Sequence, residues 1–293
     1  MVENILKFNF SLLNTDYVQL DKSWNYPNVT SIFYRLYYID QGEGLLTNAT
    51  QKVKLEPGFL YLIPSFTTCN YYCDSYLSQY YISFSEEFSA GASLFFANRK
   101  LFKIPASNRE VEAVKRIVQL NPGRDLRKSD DPRIYEKSLQ LKEFQELNNA
   151  LPAPAFMETC GLLLLLVSRF MASDDFLTKA ITAVHSKVAE AIQHIHTNLS
   201  TPITVDLLAK RASQHPDYFS RLFQENTGMR PLAYLQMKRV ERAQLLIATT
   251  DLPFYEIANQ TGFDSLSYFS RLFRSLTGMA PGAYKKLNRN HQI

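Results

Sequence analysis

Two seventeen-residue stretches carry the side chains best suited to chemistry in this sequence. Tyr218–Tyr234 reads YFSRLFQENTGMRPLAY and Tyr268–Tyr284 reads YFSRLFRSLTGMAPGAY, so twelve of seventeen positions are identical at a fifty-residue offset. Read at helical spacing, each stretch splits into two faces. Phe219, Leu222 and Phe223, repeated as Phe269, Leu272 and Phe273, fall at i, i+3 and i+4 and form an apolar stripe. Asp217, Ser220, Arg221 and Gln224, and in the second copy Ser267, Ser270, Arg271 and Arg274, fall at i, i+3, i+4 and i+7 on another face. Short polar residues and arginines on one helix face suit the major groove of DNA. There an arginine pairs in bidentate fashion with guanine, while Ser and Gln reach other base edges or phosphates. One such helix alone is as often an ordinary solvated face. The same face occurring twice, in the basic half of the chain, is what points to double-stranded DNA as partner.

The elements needed to position these faces are legible around them. A short helix precedes each stretch, Val205–Arg211 and Pro253–Gln260, followed by a tight turn, Ala212–His215 and Thr261–Asp264. Thr204 and Asp264 are expected helix N-caps, and Pro216 suits a first helical turn. Gly228 and Gly278 suit the left-handed position past a helix end, and Pro231 and Pro281 prevent continuation. Helix, short turn, helix defines two helix-turn-helix units, at about 204–227 and 253–277. Between them Pro231–Ala248 is helical by propensity, with Leu235, Val240, Ala243, Leu246 and Ile247 on its buried side. About 17 helical residues span roughly 26 Å, enough to hold two recognition helices near one duplex turn, about 34 Å, apart. Lys238, Arg239 and Arg242 on this spacer are candidates for phosphates or for an internal ion pair, with Arg239 favoured for the internal role.

Residues from about Lys187 to Lys286 resemble the DNA-binding domain of the AraC/XylS transcription regulators. The resemblance is carried by TVDLLAKRA, PDYFSRLFQENTGMRP and RVERAQLLIATTDLPFYEIANQTGFDSLSYFSRLFRSLTGMAPGAYKK, about a third of the chain. It implies base reading by Asp217, Ser220 and Arg221 and by Ser267, Ser270 and Arg271, and it places an arginine at Arg239 beside the apolar seam. Two positions depart from the pattern. Ser213 stands where such turns usually carry glycine, and His215 where a serine-like cap is usual.

The rest of the chain has a different character. Residues 1–179 hold 19 Lys+Arg and 20 Asp+Glu, a net of −1, and residues 180–293 hold 13 and 8, a net of +5. All five histidines (His185, His194, His196, His215 and His291) lie in the second part. A histidine-ligated metal centre in the first part is thereby excluded, and no cofactor or metal is expected. With 293 residues, 46% hydrophobic and 20% charged, the chain suits two folded domains. The three cysteines, Cys69, Cys73 and Cys160, do not make a secreted disulfide scaffold. The most apolar run, Gly161–Val167, is far below the ~20 residues of a membrane span, and a cytoplasmic protein is expected.

Ile32–Ile39, Phe59–Ile63 and Gln79–Phe84 read as strands, with another pair between Gly44 and Leu55. Such short strands suggest an antiparallel barrel or sandwich. Helices are expected from Ser107, over Arg133–Asn149 and over Phe156–Met171, with Arg124–Asp131 a loop and Ser173–Asp175 a linker. The pattern YRLYYIDQGEG followed by LEPGFLYLIP resembles the cupin-type effector domain of full-length family members. The fold class expected is therefore α+β in two domains: a cupin-like antiparallel β-barrel with helices over 1–175, and an all-α double helix-turn-helix domain over 180–293. The aromatic residues Trp24, Tyr26, Tyr34, Tyr37, Tyr61, Tyr71 and Tyr72, with Arg35 as rim residue or anion anchor, are candidates for binding a sugar, organic acid or aromatic effector. The two helices after residue 133 are candidates for a homodimer contact. The functional expectation is a non-enzymatic, DNA-binding transcription regulator, with RNA polymerase a further partner. Two alternatives stay open: a regulator that takes no small molecule and acts through dimerisation or a protein partner, and a cupin enzyme fused to a DNA-binding domain.

Overall fold

The computed structural model describes residues 9–87, 94–95, 98–125, 138–174, 176 and 186–287. The chain divides into two compact units, one drawn from residues 8–87 and 98–177, the other mainly from 178–293. The expected domain junction at 175–180 lies largely outside the described residues, as do residues 126–137, which include most of the expected loop and the start of the expected Arg133 helix.

The first unit is built on antiparallel sheets. Its strands are β1 (Asn9–Asp21), β2 (Tyr26–Thr30), β3 (Tyr34–Gly42), β4 (Gly44–Thr47), β5 (Lys52–Leu55), β6 (Phe59–Ile63), β7 (Thr68–Tyr72), β8 (Tyr76–Glu87) and β9 (Phe102–Pro105). One sheet runs β1-β8-β3-β6-β9 and the other β2-β7-β4-β5. Among the described residues the two sheets do not close into one barrel. They share a core in which Tyr37, Ile39, Tyr61 and Ile63 of the larger sheet meet Leu46, Leu55, Cys69 and Tyr71 of the smaller. Strand alternation sends Tyr34, Leu36, Leu60, Leu62, Ile82 and Phe84 to the other face of the larger sheet, where they are also buried.

That second face is covered by helices, which explains why the strands are apolar on both sides. These are α1 (Asn108–Leu120), α2 (Ser138–Ala150) and α3 (Ala153–Met171). The Glu110 side chain accepts the Ser107 backbone N–H at 2.8 Å, closing the start of α1. Arg116 pairs with Glu158 at 2.7 Å and Arg169 with Glu110 at 3.0 Å, tying α1 to α3. Arg124, buried, donates to the carbonyls of Leu12, Leu13 and Phe144 at 3.1–3.3 Å, and its burial lowers its pKa to about 10. By length and composition α3 is apolar enough to cross a membrane, with a window of mean hydropathy 1.4. It buries Thr159, Leu163, Leu166, Val167 and Phe170, while Phe156, Met157 and Leu164 are exposed.

The second unit is helical: α4 (Ser186–Thr197), α5 (Val205–Arg211), α6 (Pro216–Thr227), α7 (Pro231–Thr249), α8 (Phe254–Gln260), α9 (Leu266–Thr277) and α10 (Pro281–Leu287). It has two separate apolar cores. The first joins Val188, Ile192, Ile195, Leu208, Phe219 and Phe223 to Tyr234 and Leu235 in the first turns of α7. The second joins Val240, Ala243, Leu246 and Ile247, further along α7, to Ile257, Phe263, Phe269, Phe273 and Tyr284. One helix therefore contributes a wall to both cores.

Candidate nucleic-acid interface

Each recognition helix is held by the same set of contacts. Phe219 and Phe223 are fully buried, with ring centroids 5.8 Å apart, and Phe223 meets Tyr234 at 5.5 Å. In the second copy Phe269 and Phe273 lie 5.6 Å apart and Phe273 meets Tyr284 at 5.4 Å. The helix ends match as well. The Thr227 hydroxyl lies 2.8 Å from the Phe223 carbonyl and 2.9 Å from that of Met229, and Thr277 repeats both distances with Phe273 and Met279. Gly228 and Gly278 follow at φ +77° and +80°, in the left-handed conformation expected of them. Pro231 and Pro281 each open the next helix.

The entrances differ. The Thr204 hydroxyl caps α5 by accepting the Leu207 N–H at 3.1 Å. The cap of α9 is Ser265, whose hydroxyl accepts the Tyr268 N–H at 3.3 Å, and not Asp264, the residue expected from the sequence. Asp264 is one residue too early for its carboxylate to serve as the cap. His215 caps α6 without a side-chain hydrogen bond. It and Asp217 are both strongly exposed, and their ring nitrogen and carboxylate are 3.8 Å apart.

With the phenylalanines turned inward, the other face points to solvent. Asp217, Arg221 and Gln224 on α6 are exposed and Ser220 is half-buried. On α9, Ser267, Arg271 and Arg274 are exposed and Ser270 is half-buried. Among the described residues, no hydrogen bond or ion pair holds Arg221, Arg271 or Arg274, so each guanidinium keeps its fork of donors for another molecule. The spacer cations are different. Lys238 is 4% exposed and pairs with Glu241 at 3.1 Å, which removes it from the set available to phosphate. Arg239 is internal, but its partners are the carbonyls of Leu199 and Thr201, not an acid. Arg242 is half-buried, and burial lowers its pKa.

The effector candidates of the first unit fall into distinct places. Trp24, Arg35 and Tyr37 converge on Tyr71, a further member of the aromatic candidate set. Trp24 lies 4.8 Å from the Tyr71 ring, and the Tyr37 hydroxyl is 3.3 Å from that of Tyr71. Arg35 is 1% exposed and so is no rim residue. It donates to the Tyr71 hydroxyl and, at 2.9 Å, to the Thr67 carbonyl, with Cys69 Sγ at 3.8 Å. Burial pushes the Tyr37 pKa up to about 12, and burial raises that of Tyr71 still more clearly. The remaining tyrosines stand apart. Tyr34 faces the opposite side of β3, stacks on Phe84 and donates to Glu86 at 2.8 Å. Tyr61 is committed to the Lys54 carbonyl and the Glu56 N–H. Tyr26 and Tyr72 are half-buried. A cavity of about 340 Å³ opens beside Thr67 and Cys69 and is lined also by Asn28, Asn48, Thr50, Phe66, Asn70 and Arg99. None of the eight candidate residues lines it.

The second unit is thus a tandem helix-turn-helix domain with two outward recognition faces. Residues 208–287 match the model of a helix-turn-helix domain family. The HTH-type transcriptional regulator AlkR of Acinetobacter baylyi is 34% identical over 92 residues, which cover 31% of this chain and only 30% of AlkR. The Msm operon regulatory protein of Streptococcus mutans is 22% identical over 269 residues, covering 90% of this chain and 88% of that one. Among solved structures, ToxT from Vibrio cholerae aligns with 95% of this chain and 98% of its own, at 14% identity and a TM-score of 0.49.

Proposed function

We propose that the protein is a sequence-specific transcription regulator that reads double-stranded DNA with α6 and α9. The readers are Asp217, Ser220, Arg221 and Gln224 in one helix and Ser267, Ser270, Arg271 and Arg274 in the other. The observation that carries this reading is the repetition of one outward face, with uncommitted arginines, on two copies of the same scaffold. The regulators AlkR and Msm, similar to this chain, support it. The test is binding of the full-length chain to duplexes enriched from a random pool, measured across a salt series. Affinity should fall steeply and log-linearly with salt, because each phosphate contact releases counterions. Salt-independent binding, or no enriched duplex, contradicts the proposal.

In the same reading the first unit, up to about residue 175, is a cupin-like sensing or pairing domain and not an enzyme, and the protein works in the cytoplasm, with RNA polymerase as a further partner. The support for sensing is the buried Trp24–Arg35–Tyr37–Tyr71 cluster next to the 340 Å³ cavity. Together they offer aromatic faces, amides and a guanidinium to a sugar, organic acid or aromatic compound. The support for pairing is the exposed set Phe156, Met157 and Leu164 on α3. Stabilisation of the full chain in a thermal-shift screen of those three compound classes tests the first. A monomer in sedimentation at tens of micromolar sinks the second.

A further inference from the structure

We infer that Arg239 sets the distance between the two half-sites by locking one helix-turn-helix unit against the other; the inference rests on the DNA-binding reading above. The two apolar cores are separate, and α7 alone runs through both. Apolar burial is non-directional, and helix packing sets an angle only to within roughly 15–20°, so hydrogen bonds sharpen it. The directional contacts at their junction gather around Arg239. Its Nε donates to the Leu199 carbonyl at 2.8 Å and its Nη2 to the Thr201 carbonyl at 2.7 Å, both in the connection that leads into α5 of the first unit. The same guanidinium lies 5.7 Å from the ring centre of Phe263, in the turn before α9 of the second. A Cβ placed on Gly262 would sit 2.4 Å from the Leu199 carbonyl oxygen and 2.7 Å from Arg239 Nη2. The turn of the second unit therefore touches both the first unit and the arginine that holds it. A second clamp lies nearby, where Gln236 of α7 donates to the Tyr268 hydroxyl at the start of α9 at 2.5 Å.

A planar guanidinium bridging two carbonyls resists rotation in a way one ammonium cannot, so Arg239→Lys is also disruptive. Removing the bridge leaves the shared α7 and the Gln236–Tyr268 contact as restraints and loosens the angle between the recognition helices. The experiment uses full-length protein and duplexes that the wild type enriches from a random pool. Companion duplexes carry one to three base pairs inserted between the half-elements, or one half-element scrambled. Arg239→Ala and Arg239→Lys should lose about 10-fold or more on the enriched duplex, the scale of losing hydrogen bonds from a charged group. They should lose little on the scrambled duplex, and the penalty for inserted base pairs should shrink. Wild-type sensitivity to insertions in both variants overturns the inference while leaving DNA binding intact. So does an equal loss on whole and scrambled duplexes, since that is the signature of a damaged fold. Failure of the wild type to enrich any duplex overturns the DNA-binding reading itself, and the inference with it.

Discussion

The turns of the two helix-turn-helix units share a backbone conformation but not a residue. Ser213 sits at φ +51° in the first and Gly262 at φ +80° in the second. A left-handed backbone favours glycine in both, because a Cβ crowds the neighbouring carbonyl by roughly 1–2 kcal/mol. The first unit accepts that cost, and its Ser213 side chain faces solvent. The second cannot accept a side chain at all, because the Leu199 carbonyl and Arg239 occupy the space. The glycine of such a turn thus serves two purposes, and only the second unit needs both. The first turn is free at its tip, while the second is a joint between units.

The largest expected effect is at that joint. Gly262→Ala should destabilise the second unit by about 2–4 kcal/mol, combining overpacking against backbone with left-handed strain, whereas Ser213→Ala, which adds no atom near other groups, should be close to neutral in the same thermal or urea unfolding measurement. Equal costs at the two positions would erase the distinction. A smaller effect is expected where the units are copies. Thr227→Val and Thr277→Val each remove one hydroxyl that links a helix end to the strand of chain beyond it, and each should cost about 1 kcal/mol. Widely different costs in urea titrations of the two variants would show that the helix ends are less alike than their matching distances. The smallest is a gain. Ser213→Gly should stabilise the chain by about 0.5–1 kcal/mol, the relief of strain less the greater freedom of unfolded glycine; a loss of stability would mean the serine makes a compensating contact.

Much of the second unit could be read from sequence because its signals are local. Phenylalanines at i and i+4, a glycine past each helix end and prolines at the next helix start each follow from neighbours in the chain. The close approach at Gly262 could not be read, since it depends on Leu199, sixty-three positions away. The same holds for Lys238, which looks like a surface cation until α7 turns it inward to Glu241. In the first unit, β1 escaped notice because its pairing with β8 shifts register between Leu12 and Thr15, and the irregularity breaks the alternation that marks a strand. Strand parity explains the mixed outcome for the aromatic residues. Tyr37 and Tyr34 are three apart on β3 and so face opposite ways, one toward Tyr71 and the other toward Phe84. A list of tyrosines carries no sides until the sheet supplies them.

The central claim is that two helices read DNA separately, and one measurement addresses it most directly: the duplexes enriched from a random pool by full-length wild type, Arg221→Ala and Arg271→Ala. The wild type should enrich a bipartite element whose halves are about one helical turn apart, roughly 10 base pairs. Each substitution should cost about 1–3 kcal/mol on that element and blur a different half of it. Both variants blurring the same half, or neither changing the enriched sequence, would contradict the account.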